Sequence, residues 1–252
     1  MFMPRRGMMT AGGRGGAYKA KAVAFNASPY LTKASAWTGA SSTSTVVISF
    51  WIKMIGGNGS LQYIFTDQEL LTWVTWITRT TGNKIRFVLQ NTSGSNQGAD
   101  ITSATSITAD GNWHHVLLAR NGATLQLYID GASDSYTTTY LTSHTTGWTR
   151  TPIIAARAGP TGVLNADLFD FYIHIGAYLD LSNSANREKF RDVGGKPVYL
   201  GENGELPTGS TPICFHHVDE GGASSGFVTN LGSGGGMTLN NTLNLSSTSP
   251  TD

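Results

Sequence analysis

Asn121 and Gly122 separate two runs of strand-forming residues, HHVLLAR at 114–120 and ATLQLYID at 123–130. An Asn-Gly pair between such runs is the strongest short-range signal for a β-hairpin, because a type I′ turn needs positive φ at both central residues. With these two residues at the centre of the turn, Leu118 lies opposite Leu125 and His115 lies opposite Tyr128. The sequence therefore predicts two antiparallel strands here.

The rest of the chain repeats this pattern of short strands and tight turns. Strand-like runs recur about every 10 to 15 residues, and turn formers such as GGNG at 56–59 separate them. Of the 252 residues, 31 are Gly and only 13% are charged, and no window shows a sustained 3.6-residue apolar period. We expect an all-β, antiparallel two-sheet sandwich with one short helix at 182–195 and extended termini, in which the single Cys214 is a buried core residue.

Charge and composition divide the chain into three segments. The first 66 residues contain seven Lys or Arg and no Asp or Glu, so the remaining residues have a formal net charge of −6. Residues 1–21 are predicted to form a flexible basic arm, residues 22–220 the sandwich, and residues 221–252 a Gly/Ser/Thr/Asn-rich tail with one or two edge strands that then frays. We expect the arm to dock on an acidic partner surface, with a solvated tail as the alternative. Its assembly residues would be Phe2, Arg5, Arg6, Met8, Met9 and Arg14.

The adjacent histidines His114 and His115 are predicted to be scaffold. Successive side chains of a strand point to opposite faces, so the two cannot share a metal ion or act as a relay. His114 falls on the apolar face of the hairpin, where a hydrogen-bonded core histidine is expected. The same argument separates His216 from His217.

His115 falls on the more polar face of the hairpin, with Trp113 and Tyr128. Two interpretations stay open for these three residues. They could stack on a sugar ring and form a weak glycan-binding site, or they could be cross-strand aromatic packing, which we favour.

The stretch DGNWHHVLLARNGATLQLYIDG at 110–131 resembles the signature of laminin-G-like, concanavalin-A-like jelly-roll domains. That signature is Gly-x-Trp-His-His-Val, a hairpin, and then apolar-Tyr-apolar-Asp-Gly. The resemblance covers about residues 20–195 and implies two packed antiparallel sheets in a jelly roll.

The continuation from Tyr178 to Phe215 is similar to a segment of laminin-G-like proteins of tailed bacteriophages. This resemblance implies a non-enzymatic virion protein, either a capsid decoration or a tail-associated sandwich. It would be assembled in the host cytoplasm without a secretion signal, as a homo-oligomer on a capsid or tail subunit. Neither a membrane nor a nucleic acid is expected as a partner. The alternative is a carbohydrate-binding module for host or environmental glycans.

Enzymatic relatives of this fold carry Glu-x-Asp-x-x-Glu on one strand, which places the carboxylates over the sugar. The stretch of this sequence most similar to that motif is Asp167-Leu168-Phe169-Asp170, whose carboxylates are three residues apart and are expected to face opposite sides of the strand. We therefore predict no catalytic residues and no required cofactor. Calcium stays an open alternative: Asp67, Asp100, Asp110 and Asp130 suit it by type, but their spacing selects no ligand set.

Overall fold

The computed structural model describes residues 18–26, 28–69, 72–90 and 97–252. Its strands, in chain order, are β1 (Val23–Asn26), β2 (Tyr30–Thr32), β3 (Thr45–Met54), β4 (Gln62–Glu69), β5 (Thr72–Arg79), β6 (Lys84–Gln90), β7 (Gln97–Ser106), β8 (His114–Asn121), β9 (Thr124–Ile129), β10 (Ala132–Ser133), β11 (Thr137–Leu141), β12 (Pro152–Ile154), β13 (Asn165–Ile175), β14 (Cys214–His216), β15 (Thr238–Asn240) and β16 (Asn244–Leu245). The helices are α1 (Ser184–Arg187) and α2 (Ser225–Val228).

The described strands form two antiparallel sheets. In the first sheet the order is β10-β9-β8-β3-β13-β1-β16, and β14 also pairs with β13. In the second sheet the order is β11-β7-β6-β5-β4-β12-β2-β15. This arrangement confirms the predicted all-β, two-sheet sandwich.

The main core lies between the two sheets, and a second apolar layer covers the outer face of the first. Alternate residues of β3, such as Ile48 and Phe50, are fully buried between the sheets. On the opposite face of the same sheet, Leu117 and Tyr172 pack against Phe190 and Leu200. The segment that follows β13 therefore covers the outer face of the first sheet.

The predicted hairpin is present, but its predicted register is wrong. Leu118 pairs with Leu127, and Asn121 pairs with Thr124, so the turn centres one residue later than expected, on 122–123. The reason is that β3 pairs with Asn121 and keeps it in the strand. Gly122 alone of the two central residues has positive φ, at 58°, as a type II′ turn requires. Each residue of β8 pairs with a residue two positions further along β9 than predicted. Since the side chains of a strand alternate with a period of two, each side chain still lies on its predicted face.

The predicted helix is shorter than its sequence span. It covers one turn, and the Asn183 side chain accepts a hydrogen bond from the Ala185 backbone N–H at its start. Cys214 is buried, as expected. Among the described residues, no helix has the length and apolarity needed to cross a membrane.

The C-terminal tail adds the edge strands β15 and β16, as predicted. It does not fray beyond them, since Ser249 and Thr251 are buried. Thr251 Oγ1 donates to the Ala20 carbonyl oxygen, and the Lys19 ammonium donates to the Thr251 carbonyl oxygen at 2.8 Å. Residues 18–21 therefore pack on the sandwich, and the arm residues 1–17 lie outside the described residues. The boundaries of the three predicted segments stay a prediction.

Candidate functional site

The hairpin histidines point to opposite faces of the first sheet, as predicted, and each has local partners. His114 Nδ1 lies 2.7 Å from Asp130 Oδ2 at the rim of the sandwich, and this hydrogen bond raises the His114 pKa. His115 is buried, with Nε2 2.9 Å from Ser49 Oγ and its ring 4.7 Å from that of Trp51. Burial lowers the His115 pKa to about 3, so this ring is neutral at physiological pH.

The structure brings together two of the three residues predicted to bind glycan. His115 and Tyr128 line one cavity on the outer face of the first sheet, and Trp113 lies outside it. Trp113 and Tyr128 are half-buried beneath cations: Lys53 Nζ lies 5.3 Å from the Trp113 ring centroid, and the Arg187 guanidinium lies 4.8 Å from that of Tyr128. Glycan binding by these three residues stays a prediction.

The four aspartates considered for calcium have other partners or are buried, and two of them, Asp110 and Asp130, flank the His114 ring. Both oxygens of Asp100 accept hydrogen bonds from Arg86. Asp110 accepts from the Asn112 backbone N–H, and Asp130 from that of His115. Asp67 is fully buried. In the described part of the chain, no group of three or more His, Cys, Asp or Glu side chains is placed to hold a metal ion.

The expectation that Asp167 and Asp170 face opposite sides of β13 is wrong. A β-bulge shifts the register between β13 and β3 after Phe169, and Asp170 has φ of +47°. Because the bulge inserts one extra residue, the Asp170 side chain points outward like that of Asp167, three positions earlier. Asp167 is paired with Lys53, whose Nζ lies 2.9 Å from Oδ2.

The bulged Asp170 forms a buried cluster with His217 and Tyr18. His217 Nδ1 lies 2.6 Å from Asp170 Oδ1, and the Tyr18 hydroxyl donates to Oδ2 at 3.2 Å. Burial alone would lower the His217 pKa, but the charge and hydrogen bond of Asp170, with a smaller contribution from Asp219, raise it. The cluster fixes Tyr18, at the point where the N-terminal arm joins the sandwich.

The opposite shifts of the histidine pKa values predict a pH dependence of stability. The pKa of His115 in the folded protein lies below its unfolded value of about 6.5. The contribution of His115 to the free energy of unfolding is therefore fully present above pH 6.5 and is lost as the pH falls. The free energy of unfolding lost on His115→Gln should therefore be about 1.4 kcal/mol smaller at pH 5.5 than at pH 8. His217 has a raised pKa, so the loss on His217→Gln should grow as the pH falls. Urea denaturation of both variants measures these differences, and a pH-independent His115→Gln loss would contradict the assignment.

The outer face of the second sheet combines aromatic and hydrogen-bonding side chains. The register places Tyr140, Asp100, Val88 and Trp76 in one row across β11, β7, β6 and β5. Their chain neighbours, such as Ile77, Phe87 and Ile101, point into the core. We call the outward residues Tyr63, Trp76, Arg86, Asp100 and Tyr140 the second-sheet face.

Polar groups on the second-sheet face are held in fixed positions. Arg86 is bound to Asp100 in a bidentate pair, with Nε–Oδ1 and Nη2–Oδ2 distances of 2.8 and 2.6 Å, and the Arg86 side chain is 39% exposed. The Gln90 amide donates to the Tyr140 hydroxyl at 3.1 Å. The Arg157 guanidinium lies 5.8 Å from the Tyr63 ring centroid.

A cavity of about 180 Å³ opens on the second-sheet face. Its walls include Tyr63, Trp76, Arg86 and Arg157, which combine two aromatic rings with two guanidinium groups. None of these four residues was predicted as a site residue from the sequence. A usable signal was present in KIRFVLQ at 84–90, where Arg86 alternates with the apolar core residues Ile85 and Phe87.

The comparisons with known proteins agree with this architecture. Residues 26–178, more than half of the chain, match the Laminin_G_3 family of the concanavalin A-like lectin/glucanases superfamily. The chain belongs to this family. No curated protein matches it.

Two solved structures share the fold at low sequence identity. A putative carbohydrate binding protein from Bacteroides ovatus superposes with a TM-score of 0.60 at 10% identity, over 91% of this chain and 60% of its own. A native heptameric SAP-like pentraxin from Limulus polyphemus superposes with a TM-score of 0.54 at 13% identity, over 90% of this chain and 94% of its own. This Laminin_G_3 domain therefore spans about three fifths of the Bacteroides protein and nearly the whole pentraxin chain.

Proposed function

We propose that this Laminin_G_3 domain is a non-catalytic carbohydrate-binding protein and that the second-sheet face binds the glycan. The observation that carries the proposal is the cavity in which Tyr63 and Trp76 lie beside the Arg86–Asp100 pair. Ligand sites combine apolar walls with a few fixed polar groups in this way. The family and the Bacteroides protein described as carbohydrate binding support the proposal.

The chemistry of the second-sheet face suits a sugar. The apolar side of a pyranose ring can pack on the half-buried indole of Trp76, while its hydroxyl groups meet donors and acceptors at the rim. Because Asp100 already fixes the Arg86 guanidinium, little side-chain entropy is lost when a ligand binds there. Tyr140 is held by Gln90 in the same manner.

The carboxylates near both sheets argue against glycoside hydrolysis. A retaining glycosidase needs two carboxyl groups about 5–5.5 Å apart, one as nucleophile and one as acid. Asp100 is engaged by Arg86, Asp167 by Lys53 and Asp170 by His217. The described residues that line the cavity of the second-sheet face include no Asp or Glu, so we propose binding without catalysis.

A glycan array tests the proposed function. The full chain should give reproducible signal on a restricted group of glycans, and the best ligand should not be hydrolysed on prolonged incubation. Absence of signal on mammalian, plant and bacterial glycans, at high protein concentration and with the protein folded, would refute the proposal. Release of reducing sugar that disappears in Asp170→Asn would refute the non-catalytic part.

A structural role on a virion is a second proposal, compatible with glycan binding. The observation that favours it is the fixed base of the arm: the Lys21 backbone N–H donates to the Val218 carbonyl oxygen at 2.9 Å, and Tyr18 is bound to Asp170. An arm with such a base could anchor the sandwich to a capsid or tail subunit. Several copies in a homo-oligomer would then raise the avidity for host glycans.

Deleting residues 2–16 should abolish incorporation of the protein into particles that lack it, while the sandwich stays folded. The expected loss follows from the four methionine and phenylalanine side chains that the deletion removes, Phe2, Met3, Met8 and Met9, since each buried apolar side chain contributes roughly 1.5–3 kcal/mol. The measurement is occupancy on purified particles, with circular dichroism of the truncated protein as the control. Unchanged occupancy would refute the assembly arm.

A further inference from the structure

A second cavity, of about 140 Å³, lies on the outer face of the first sheet. Its floor includes His115 and Tyr128, and its walls come from α1 and the turn after it, with Arg187, Glu188 and Arg191 among them. This cavity and the second-sheet face lie on different sheets, so the inference drawn from it does not rest on the proposed function. We call it the Arg191 pocket.

The guanidinium of Arg191 is wedged between two glycines. A Cβ at Gly131 would lie 2.8 Å from Nη1, and a Cβ at Gly195 would lie 2.8 Å from Nη2. Both glycines have φ of +83°, a conformation that favours glycine. The two turns therefore leave room for the Arg191 guanidinium and hold it against the pocket wall.

Arg191 lacks a hydrogen-bond acceptor within the part of the chain that the structure describes. Its Nε is buried without a partner. The Arg191 charge acts on Asp130, but that carboxylate is engaged with His114 and the His115 backbone. A buried donor without an acceptor costs about 1–3 kcal/mol. The terminal Nη1 and Nη2 groups are not among the buried atoms and have no acceptor among the described residues, so they are the donors that a ligand in the pocket can reach.

The other charged groups of the Arg191 pocket narrow the choice of ligand. Arg187 is fixed by bonds to the Leu181 and Ser182 carbonyl oxygens and supplies a second guanidinium. Glu188 and Asp192 are exposed on the walls, where their carboxylates would repel a polyanion such as a nucleic acid. The same carboxylates can accept hydrogen bonds from hydroxyl groups.

We propose that the Arg191 pocket binds an acidic sugar, with the sugar carboxylate on Arg191 and its hydroxyl groups on Glu188 and Asp192. The planar guanidinium fork matches a carboxylate in bidentate geometry. A ligand with a single negative charge and many hydroxyl groups satisfies both the guanidinium groups and the exposed carboxylates of the walls. A simple anion would use only the first of these features.

Titration of the ¹⁵N-labelled full chain with glucuronate tests this inference. The Arg191 Nε–Hε resonance should shift and saturate, while glucose should leave it unchanged. Acetate and inorganic phosphate should bind at least about tenfold more weakly than glucuronate. Equal response to glucose, to acetate or to phosphate would overturn the assignment of an acidic sugar, and absence of any shift at high millimolar glucuronate would overturn the site.

Variants separate the Arg191 pocket from the second-sheet face. Arg191→Lys keeps the charge but removes the fork, and should weaken glucuronate binding about tenfold or more, as judged from the shifts of the Tyr128 and Leu117 backbone amides. Arg157→Gln is the matched control, because it removes an arginine from the cavity of the other sheet, and should bind glucuronate as the wild type does. Trp76→Ala should also retain this binding. Unchanged affinity in Arg191→Lys would contradict the inference without bearing on whether the second-sheet face binds glycans. Loss in Trp76→Ala would contradict the inference by moving glucuronate binding to the second-sheet face.

Discussion

Replacement of Asp170 by alanine should lower the free energy of unfolding by about 3–5 kcal/mol, the range for removal of one partner from a buried ion pair. Asp170 is 3% exposed, and its two oxygens are bound to His217 and Tyr18. Without the carboxylate, the buried imidazole and hydroxyl groups lose their partner. Alanine also tolerates φ of +47° poorly. Urea denaturation at neutral pH measures the loss.

Asp170→Asn is the matched control for this prediction. Asparagine keeps the shape of the side chain, tolerates positive φ and can still bond to Tyr18 and His217. The Asp170→Asn variant should be more stable than Asp170→Ala. In the Asp170→Asn background, the free energy of unfolding lost on His217→Gln should no longer grow as the pH falls. A loss below about 1 kcal/mol in Asp170→Ala would show that the Asp170–His217–Tyr18 cluster contributes little to the fold.

Replacement of Trp76 by alanine should weaken binding of the best array glycan by about tenfold to a hundredfold, equivalent to 1.4–2.8 kcal/mol. Trp76 has the largest aromatic side chain among the residues that line the cavity of the second-sheet face, and tryptophan is enriched among the residues whose truncation costs most binding energy. The change lies on the outward side of β5, away from the core. Isothermal titration calorimetry measures the affinity.

Trp113→Ala is the control for this measurement. It removes an indole of the same size, also half-buried, from the side of the first sheet. Its affinity should stay within about twofold of the wild type. Equal losses in both variants would indicate a general effect on the fold, and a loss confined to Trp113→Ala would move the binding site to the face that the sequence alone suggested.

The fold was predictable because turn formers and alternating strands recur along the chain, and because the stretch at 110–131 has a specific family signature. The opposite directions of His114 and His115 follow from strand geometry alone. The hairpin register was not predictable from the Asn-Gly pair, because the neighbouring strand β3 holds Asn121 extended. Local turn preference was overridden by a tertiary pairing.

The candidate site was harder to predict than the fold. The direction of Asp170 depends on a bulge, and β13 changes its partner there: it pairs with β1 up to Leu168 and with β14 from Phe171. No local pattern in the sequence of β13 indicates that change of pairing partner. The second-sheet face is assembled from residues up to 77 positions apart, Tyr63 and Tyr140, which only the strand order of the second sheet brings together.

The location of the glycan site is tested most directly by chemical shift mapping with the best neutral glycan from the array. Backbone amides of the ¹⁵N-labelled protein are compared with and without saturating ligand. We expect the largest changes at Tyr63, Trp76, Arg86 and Tyr140, and no change at Trp113 and His115. Changes concentrated at Trp113, His115 and Tyr128, with the second-sheet face silent, would contradict this expectation.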